Sequence, residues 1–304
     1  MLLISSHRFQ EHTPPPGHPE RPERAEVFDQ VAKAFRERGG VVVEPRPATR
    51  DELLRVHDEA YVASIEAVDG RAAMLDPDTF TSPESVEIAR LAAGAAVQAA
   101  EHALDTGETA FALVRPPGHH AERDKAMGFC LFNNVAVAAA AMLARGLQRV
   151  AVVDIDVHHG NGTQWIFYDS ARVFYVSTHQ FPFYPGTGAA TEVGRGEGHG
   201  CTLNLPLPAG ARDADYELAY HDIAEAIERY QPQLLLVSAG YDAHVEDPLA
   251  SMRVSTDGYA VIVGILRRAA GNVRCPMALV TEGGYDLDAL RACLEATITI
   301  LTPP

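Results

Sequence analysis

Short apolar runs that end in polar or glycine-rich loops recur along this chain, and helical patterns separate them. The runs are Met1–Ser5, Gly40–Glu44, Thr109–Val114, Val150–Asp156, Val173–Ser177, Leu234–Ser238 and Pro276–Thr281. The helical patterns fall at Arg21–Arg38, Pro83–Leu104, Asn133–Arg145, Asp213–Tyr230, Thr256–Gly271 and Asp288–Thr299. Strand followed by helix, again and again, predicts a doubly wound, mostly parallel sheet with helices on both faces. Parallel strands present their C-terminal ends on one edge, where open α/β sheets place their ligands. The loops expected on that edge open at Arg115, Asp154, Ser177, Ser238 and Glu282, and they hold most of the chain's chemistry-bearing side chains.

The densest is Val150 to Gly162, VAVVDIDVHHGNG. Residues two apart on a strand share a side, so the pattern puts Asp154, Asp156 and His158 together. Carboxylate oxygen and imidazole nitrogen at close range suit a divalent metal. The plainer reading of this segment alone is a buried ion pair. Asp242, delivered by the Leu234 run, supplies a third ligand to join Asp156 and His158. Two carboxylates and one imidazole leave a coordination position open for water, as a catalytic zinc site requires. Asp247 stands too far along its loop to ligate, and His244 reads as loop packing.

Adjacent histidines, His119 and His120, end the stiff loop RPPGHH and are candidates for general acid and base. In TEGGY, two glycines can turn Tyr285 into a cleft, where a phenol can donate to a developing oxyanion. Gly128-Phe129-Cys130 and the segment Phe181 to Gly188 bring aromatics to the same edge. No dinucleotide fingerprint, Walker A motif or GxSxG elbow is present.

Composition narrows the function classes. A formal charge of −16 disfavours nucleic-acid binding, which calls for a basic surface. No stretch approaches the roughly 20 apolar residues of a membrane span, and the start lacks a secretory pattern, so a cytoplasmic enzyme is expected. The four cysteines, Cys130, Cys201, Cys275 and Cys293, have no CxxC spacing and read as reduced thiols. The Asn161-Gly162-Thr163 sequon is then accidental.

Taken in order, these motifs resemble the zinc-dependent histone deacetylase and acetylpolyamine amidohydrolase superfamily. The similarity runs from Pro16–Arg24 to Glu282–Tyr285, nearly the whole chain. It implies one arginase-like α/β domain over residues 1–304, built on an eight-stranded, mostly parallel sheet. Carried over by motif, Asp156, His158 and Asp242 bind one zinc ion, and His119 and His120 are the tandem histidines. His120 is the acid/base, Asp154 orients His119, and Tyr285 polarises the scissile carbonyl. Gly128, Phe129, Tyr184 and Leu249 line the acyl-lysine tunnel, and Arg24 matches an arginine lining an internal channel. His159 is structural. The resemblance also implies potassium near Asp154, Asp156, His158, Ser177 and Thr178, with a second site around Phe167, Ser170 and Val173.

Departures point to a class II-like, bacterial-type member. Asn161 stands where class I enzymes carry Asp, and Leu249 stands where the polyamine-selective enzyme carries a glutamate gatekeeper. Tyr184 replaces a usual Phe. The implied reaction is hydrolysis of N-acetyl-lysine in a protein or peptide. Alternatives are an acetylpolyamine or other small linear amide as substrate, a two-manganese ureohydrolase, and a non-catalytic acyl-lysine binder. Zinc against iron, acyl-chain preference and oligomeric state stay open at this point.

Overall fold

The structure, a computed structural model, describes residues 1–302. Eight strands form one sheet, parallel throughout: β1 (Leu2–Ile4), β2 (Val41–Val43), β5 (Ala110–Ala112), β6 (Val150–Asp154), β7 (Val173–Gln180), β8 (Thr202–Leu207), β9 (Leu234–Ala239) and β10 (Met277–Thr281). Their spatial order is β2-β1-β5-β10-β9-β6-β7-β8. A small antiparallel hairpin, β3 (Ala73–Asp76) and β4 (Thr79–Thr81), stands apart. Helices α7 (Asp213–Tyr230), α8 (Thr256–Asn272), α9 (Leu287–Leu301) and α1 (Glu23–Glu37) pack in succession. Helices α4 (Ser85–Thr106) and α5 (Asn134–Ala144) pair with each other, and α4 lies on β1, β5 and β10. The shorter α2 (Arg50–Leu53), α3 (Glu59–Glu66) and α6 (Asn161–Phe167) complete the set.

The central strands are buried along their whole length, which explains why they read as unbroken apolar runs rather than alternating ones. The buried part of α4 is rich in alanine (Ala92, Ala93, Ala95, Ala96, Ala99 and Ala100), and such small side chains let the helix sit close to α5 and to the sheet. Side-chain caps set the helix starts that matter for the edge loops. Asn133 accepts from the Ala136 amide to open α5, and Asp286, next to Tyr285, accepts from the Ala289 amide to open α9.

The doubly wound parallel sheet and its eight strands agree with expectation. The differences have local causes. Ladder pairing of β6 stops at Asp154, two residues before the apolar run ends, because the Asp154 carboxylate turns back to accept from the Asp156 amide (3.2 Å). The eighth strand, β8, has no matching apolar run, since TLNLPL alternates and carries Pro206, as suits a sheet edge. Helix α6 hides in HHGNGTQ, whose two glycines argue against a helix in sequence.

Candidate active site

Strands β5, β10, β9, β6 and β7 are consecutive in the sheet, so the five polar loops lie side by side along one edge. Past β6 the chain turns sharply, and the Asp156 carboxylate accepts from the amides of His158 (2.9 Å) and Gly283 (2.8 Å). His158 Nδ1 lies 3.1 Å from Asp156 Oδ1 and 3.1 Å from Asp242 Oδ2. Asp242 arrives from the β9 loop and accepts from the Val157 amide at 2.8 Å. Ligand atoms from Asp156, His158 and Asp242 fall within 4.8 Å of one another, and all three residues are buried. Asp154 does not join them. Its side chain faces His119 instead, so the expected shared side holds for Asp156 and His158 only.

Electrostatics of this cluster suit a cation. Burial, together with the neighbouring Asp156 charge, pushes the Asp242 carboxyl up to about 7. Burial disfavours a charged ring at His158, yet its hydrogen bonds to Asp156 and Asp242 raise it to about 10. Two crowded carboxylates beside one imidazole nitrogen are the donor set that a divalent metal neutralises. A side chain at position 283 would strike this set, because a Cβ there would run into the Asp242 and Asp156 carboxylates.

The tandem histidines differ in environment. His119 Nδ1 bonds Asp154 Oδ2 at 3.0 Å, and Tyr175 donates to the same oxygen at 3.2 Å. Burial opposes charge on His119, but Asp154 and Asp156 outweigh it and raise its pKa well above the usual value. His120 Nδ1 bonds Asn161 Oδ1 at 2.8 Å. Burial, with the like charges of His119 and His158, holds His120 well below the usual range, so its ring is neutral at neutral pH. Gly128, at φ +57°, lies flat against that ring, and a Cβ there would overlap His120 Cδ2.

Tyr285 is held in place from two sides. Asp247, which the sequence marks only as too distant to ligate, accepts from the Tyr285 amide at 2.7 Å, and the Arg24 guanidinium lies 5.0 Å from the phenol ring centre. Arg24 also donates to the carbonyls of Gly284 and Glu282 and to the Glu20 carboxylate. Arg115 grips Glu20 through both oxygens, at 2.7 and 2.8 Å. Glu282 anchors the histidine loop by accepting from the amides of Gly118 (2.6 Å) and His119 (3.1 Å) and from Ser238 Oγ (3.0 Å). Its carboxyl is pushed up to about 7 by burial, against the pull of His119.

A narrow pocket of about 180 Å³ leads to these groups. Phe129, Phe183, Tyr184, Leu249 and Tyr285 wall it, His120 and His158 lie at its base, and Asp78 from the β3–β4 turn and Gly128 complete the lining. Phe183 stacks on His158, with ring centres 5.5 Å apart. Asp78 is not anticipated in the sequence, because its hairpin is short, whereas Phe183 belongs to the aromatic segment Phe181 to Gly188 expected at this edge. The hydroxyls of Ser177 and Thr178 are bound to His179 and Tyr220, each at 2.9 Å. His159 bonds Thr187 and Gln164, beneath the Tyr184 loop. His244 bonds Thr256, in keeping with loop packing. A larger cleft of about 780 Å³ lies at the opposite edge, around Met1, Phe35 and Arg38, and no histidine lines it.

His57, also unanticipated, braces the loop after the histidines. Its Nδ1 bonds the Glu122 carbonyl (2.8 Å) and its Nε2 accepts from the Asn133 amide (3.0 Å), a pair that requires the neutral ring. Burial lowers its pKa from 6.5 to about 4. A depressed pKa means that the unfolded chain binds the proton more readily, so this contribution is complete above pH 6.5 and is lost as pH falls towards 4. The full term is roughly 3 kcal/mol. In urea titrations from about pH 7 to about pH 4.5, wild type is expected to lose stability more steeply than His57→Gln. Parallel curves would remove His57 from this account.

Residues 18–301 match the profile described as the histone deacetylase domain. The chain belongs to the histone deacetylase family. A probable deacetylase of Archaeoglobus fulgidus is 40% identical over 295 residues, covering 94% of this chain and 81% of that protein. A histone deacetylase-like amidohydrolase of Pseudomonas aeruginosa is 42% identical over 264 residues, covering 84% of this chain and 69% of that protein. Among solved structures, the acetylpolyamine aminohydrolase of Burkholderia pseudomallei superposes with a TM-score of 0.89 at 33% identity, covering 99% of this chain and 98% of that one. Fold and family therefore coincide: this is the arginase-like sheet of a hydrolase family of deacetylases and amidohydrolases. No described helix is long and apolar enough to cross a membrane.

Proposed function

We propose that this chain is a zinc-dependent deacylase of N-acetyl-lysine in proteins or peptides. One observation carries the reading: a buried Asp156–His158–Asp242 triad sits beside tandem histidines at the base of a narrow, aromatic-walled pocket. The donor set fits a single divalent metal, which when bound supplies Lewis acidity and lowers the pKa of water to roughly 7. The aromatic walls and Leu249 take the apolar methylene chain of the substrate. His120, neutral and hydrogen-bonded through Nδ1, accepts the proton of the attacking water and returns it to the departing amine. His119, paired with Asp154, keeps a positive charge next to it. The Tyr285 phenol, kept protonated by burial, donates to the oxygen of the former carbonyl as negative charge develops there. Potassium near Asp154, Asp156, His158, Ser177 and Thr178 belongs to the same proposal and rests on resemblance. So does a cytoplasmic location, which the free cysteines favour.

Acetylpolyamine is the second substrate reading, favoured by the Burkholderia structure. Leu249 on the pocket wall argues against it, because a leucine gives a second cationic amine no partner at that position, and the Asp78 carboxylate in the lining already accepts from the Gly128 amide. With zinc-loaded enzyme, kcat/KM for an acetyl-lysine peptide is expected to exceed that for acetylputrescine by roughly tenfold or more, the scale of one lost favourable contact. A preference for acetylputrescine would transfer the assignment to the polyamine.

A further inference from the structure

One half-buried carboxylate is joined to His120 through a single amide. Asn161 is buried, and its Nδ2 donates to Glu122 Oε1 at 2.7 Å, with Met127 Sδ at 3.4 Å. Its Oδ1 faces His120 Nδ1 at 2.8 Å. We propose that Glu122 is a positioning residue that fixes the Asn161 amide and, through it, the ring tautomer of His120. This rests on the reading of His120 as the base.

Donor and acceptor types fix each orientation in this chain of groups. The two ends of an asparagine amide are close to the same size, so shape alone barely selects its orientation. A carboxylate only accepts, so the Asn161 NH2 must turn towards Glu122. Oδ1 then faces His120, and since a carbonyl oxygen also only accepts, the hydrogen of a neutral His120 ring must sit on Nδ1. That leaves the lone pair on Nε2, the nitrogen not committed to Asn161. Without Glu122 the amide can turn over and present NH2 to Nδ1. The ring hydrogen then moves to Nε2, and the ring can no longer accept a proton there. The carboxylate is itself well supported, because the Glu122 carbonyl is bound by His57 and the Glu122 amide by the Lys125 carbonyl at 2.9 Å.

Three variants separate this lock from general loop support. Glu122→Gln keeps an acceptor for Asn161, Glu122→Ala removes it, and Glu122→Lys offers donors only. In zinc-loaded enzyme, Glu122→Ala is expected to lose about 10–100-fold in kcat, as supporting partners of such sites typically do. Glu122→Lys is expected to lose at least as much, and Glu122→Gln to stay within about threefold, with KM changed by no more than about twofold throughout. The second readout needs no turnover. In 15N spectra of histidine-labelled protein, the signal lost in His120→Ala should show hydrogen on Nδ1 in wild type and Glu122→Gln, and on Nε2 in Glu122→Lys. Unchanged kcat in both the alanine and lysine variants would overturn the proposal. So would a wild-type His120 carrying its hydrogen on Nε2, whether or not any variant folds. If wild type hydrolyses no acyl-lysine substrate, the proposed function fails, while the ring-nitrogen signals still test the lock.

Discussion

Tyr285→Phe is expected to lower kcat on an acetyl-lysine fluorogenic peptide by about 10²–10³-fold, or about 2.7–4 kcal/mol of transition-state stabilisation. The substitution removes one oxygen and leaves its setting intact. The Tyr285 backbone is held by Asp247, and the ring packs over Arg24 and edge-on to Phe129, with ring centres 5.8 Å apart. None of these contacts uses the hydroxyl, so fold and pocket shape should survive. Burial keeps the phenol protonated through the neutral range, so a donor is present wherever the enzyme is assayed. Because the hydrogen bond strengthens only as charge develops on the substrate oxygen, the loss belongs in kcat, with KM little changed. Near-full turnover in the phenylalanine variant would remove Tyr285 from the reaction.

Asp242→Asn is expected to have the larger effect, with zinc binding and turnover lost together. Asp156 and Asp242 bring the two negative charges that balance a divalent ion, and an amide supplies neither charge nor comparable donor strength. Supporting partners of metal ligands typically cost about 10–100-fold when removed, so the loss of a ligand should exceed that. Thermal melts give an independent reading. Zinc at about 1,000 times its dissociation constant stabilises wild type by about 4 kcal/mol through mass action, and the variant should show no such shift. Without zinc, the variant should melt close to wild type, because relief of the buried charge and of its repulsion with Asp156 offsets the weakened bond to His158. A variant that still binds and is stabilised by zinc at wild-type levels would contradict the ligand assignment.

Much of this site is legible in the sequence because a parallel sheet turns order along the chain into neighbourhood at one edge. Val150–Asp156 is readable as a strand since it is buried on both faces, and the polar residues that follow have nowhere to go but the edge. The tandem histidines, the Asp156–His158 pair and the distant Asp242 meet for that reason. What stays hidden depends on side-chain direction. Asp154 looks equivalent to Asp156 by spacing, yet the chain leaves the ladder between them and their side chains part company. Glu20, Arg24, Arg115 and Glu282 form the support under the site through bonds to groups far away in sequence, which no periodicity encodes. His57 and Glu122 act in the same way, through a carbonyl and an amide. Asp78 reaches the pocket from a hairpin too short to leave a strand pattern.

Zinc titration tests the central claim most directly. Metal-stripped protein is titrated with zinc while bound metal and hydrolysis of an acetyl-lysine peptide are followed in the same samples. The account predicts that activity rises from background in proportion to zinc and levels off at one equivalent per chain, with the Asp242→Asn protein flat throughout. Full activity in stripped protein, or a plateau only at two equivalents, would contradict a single-metal deacylase built on Asp156, His158 and Asp242.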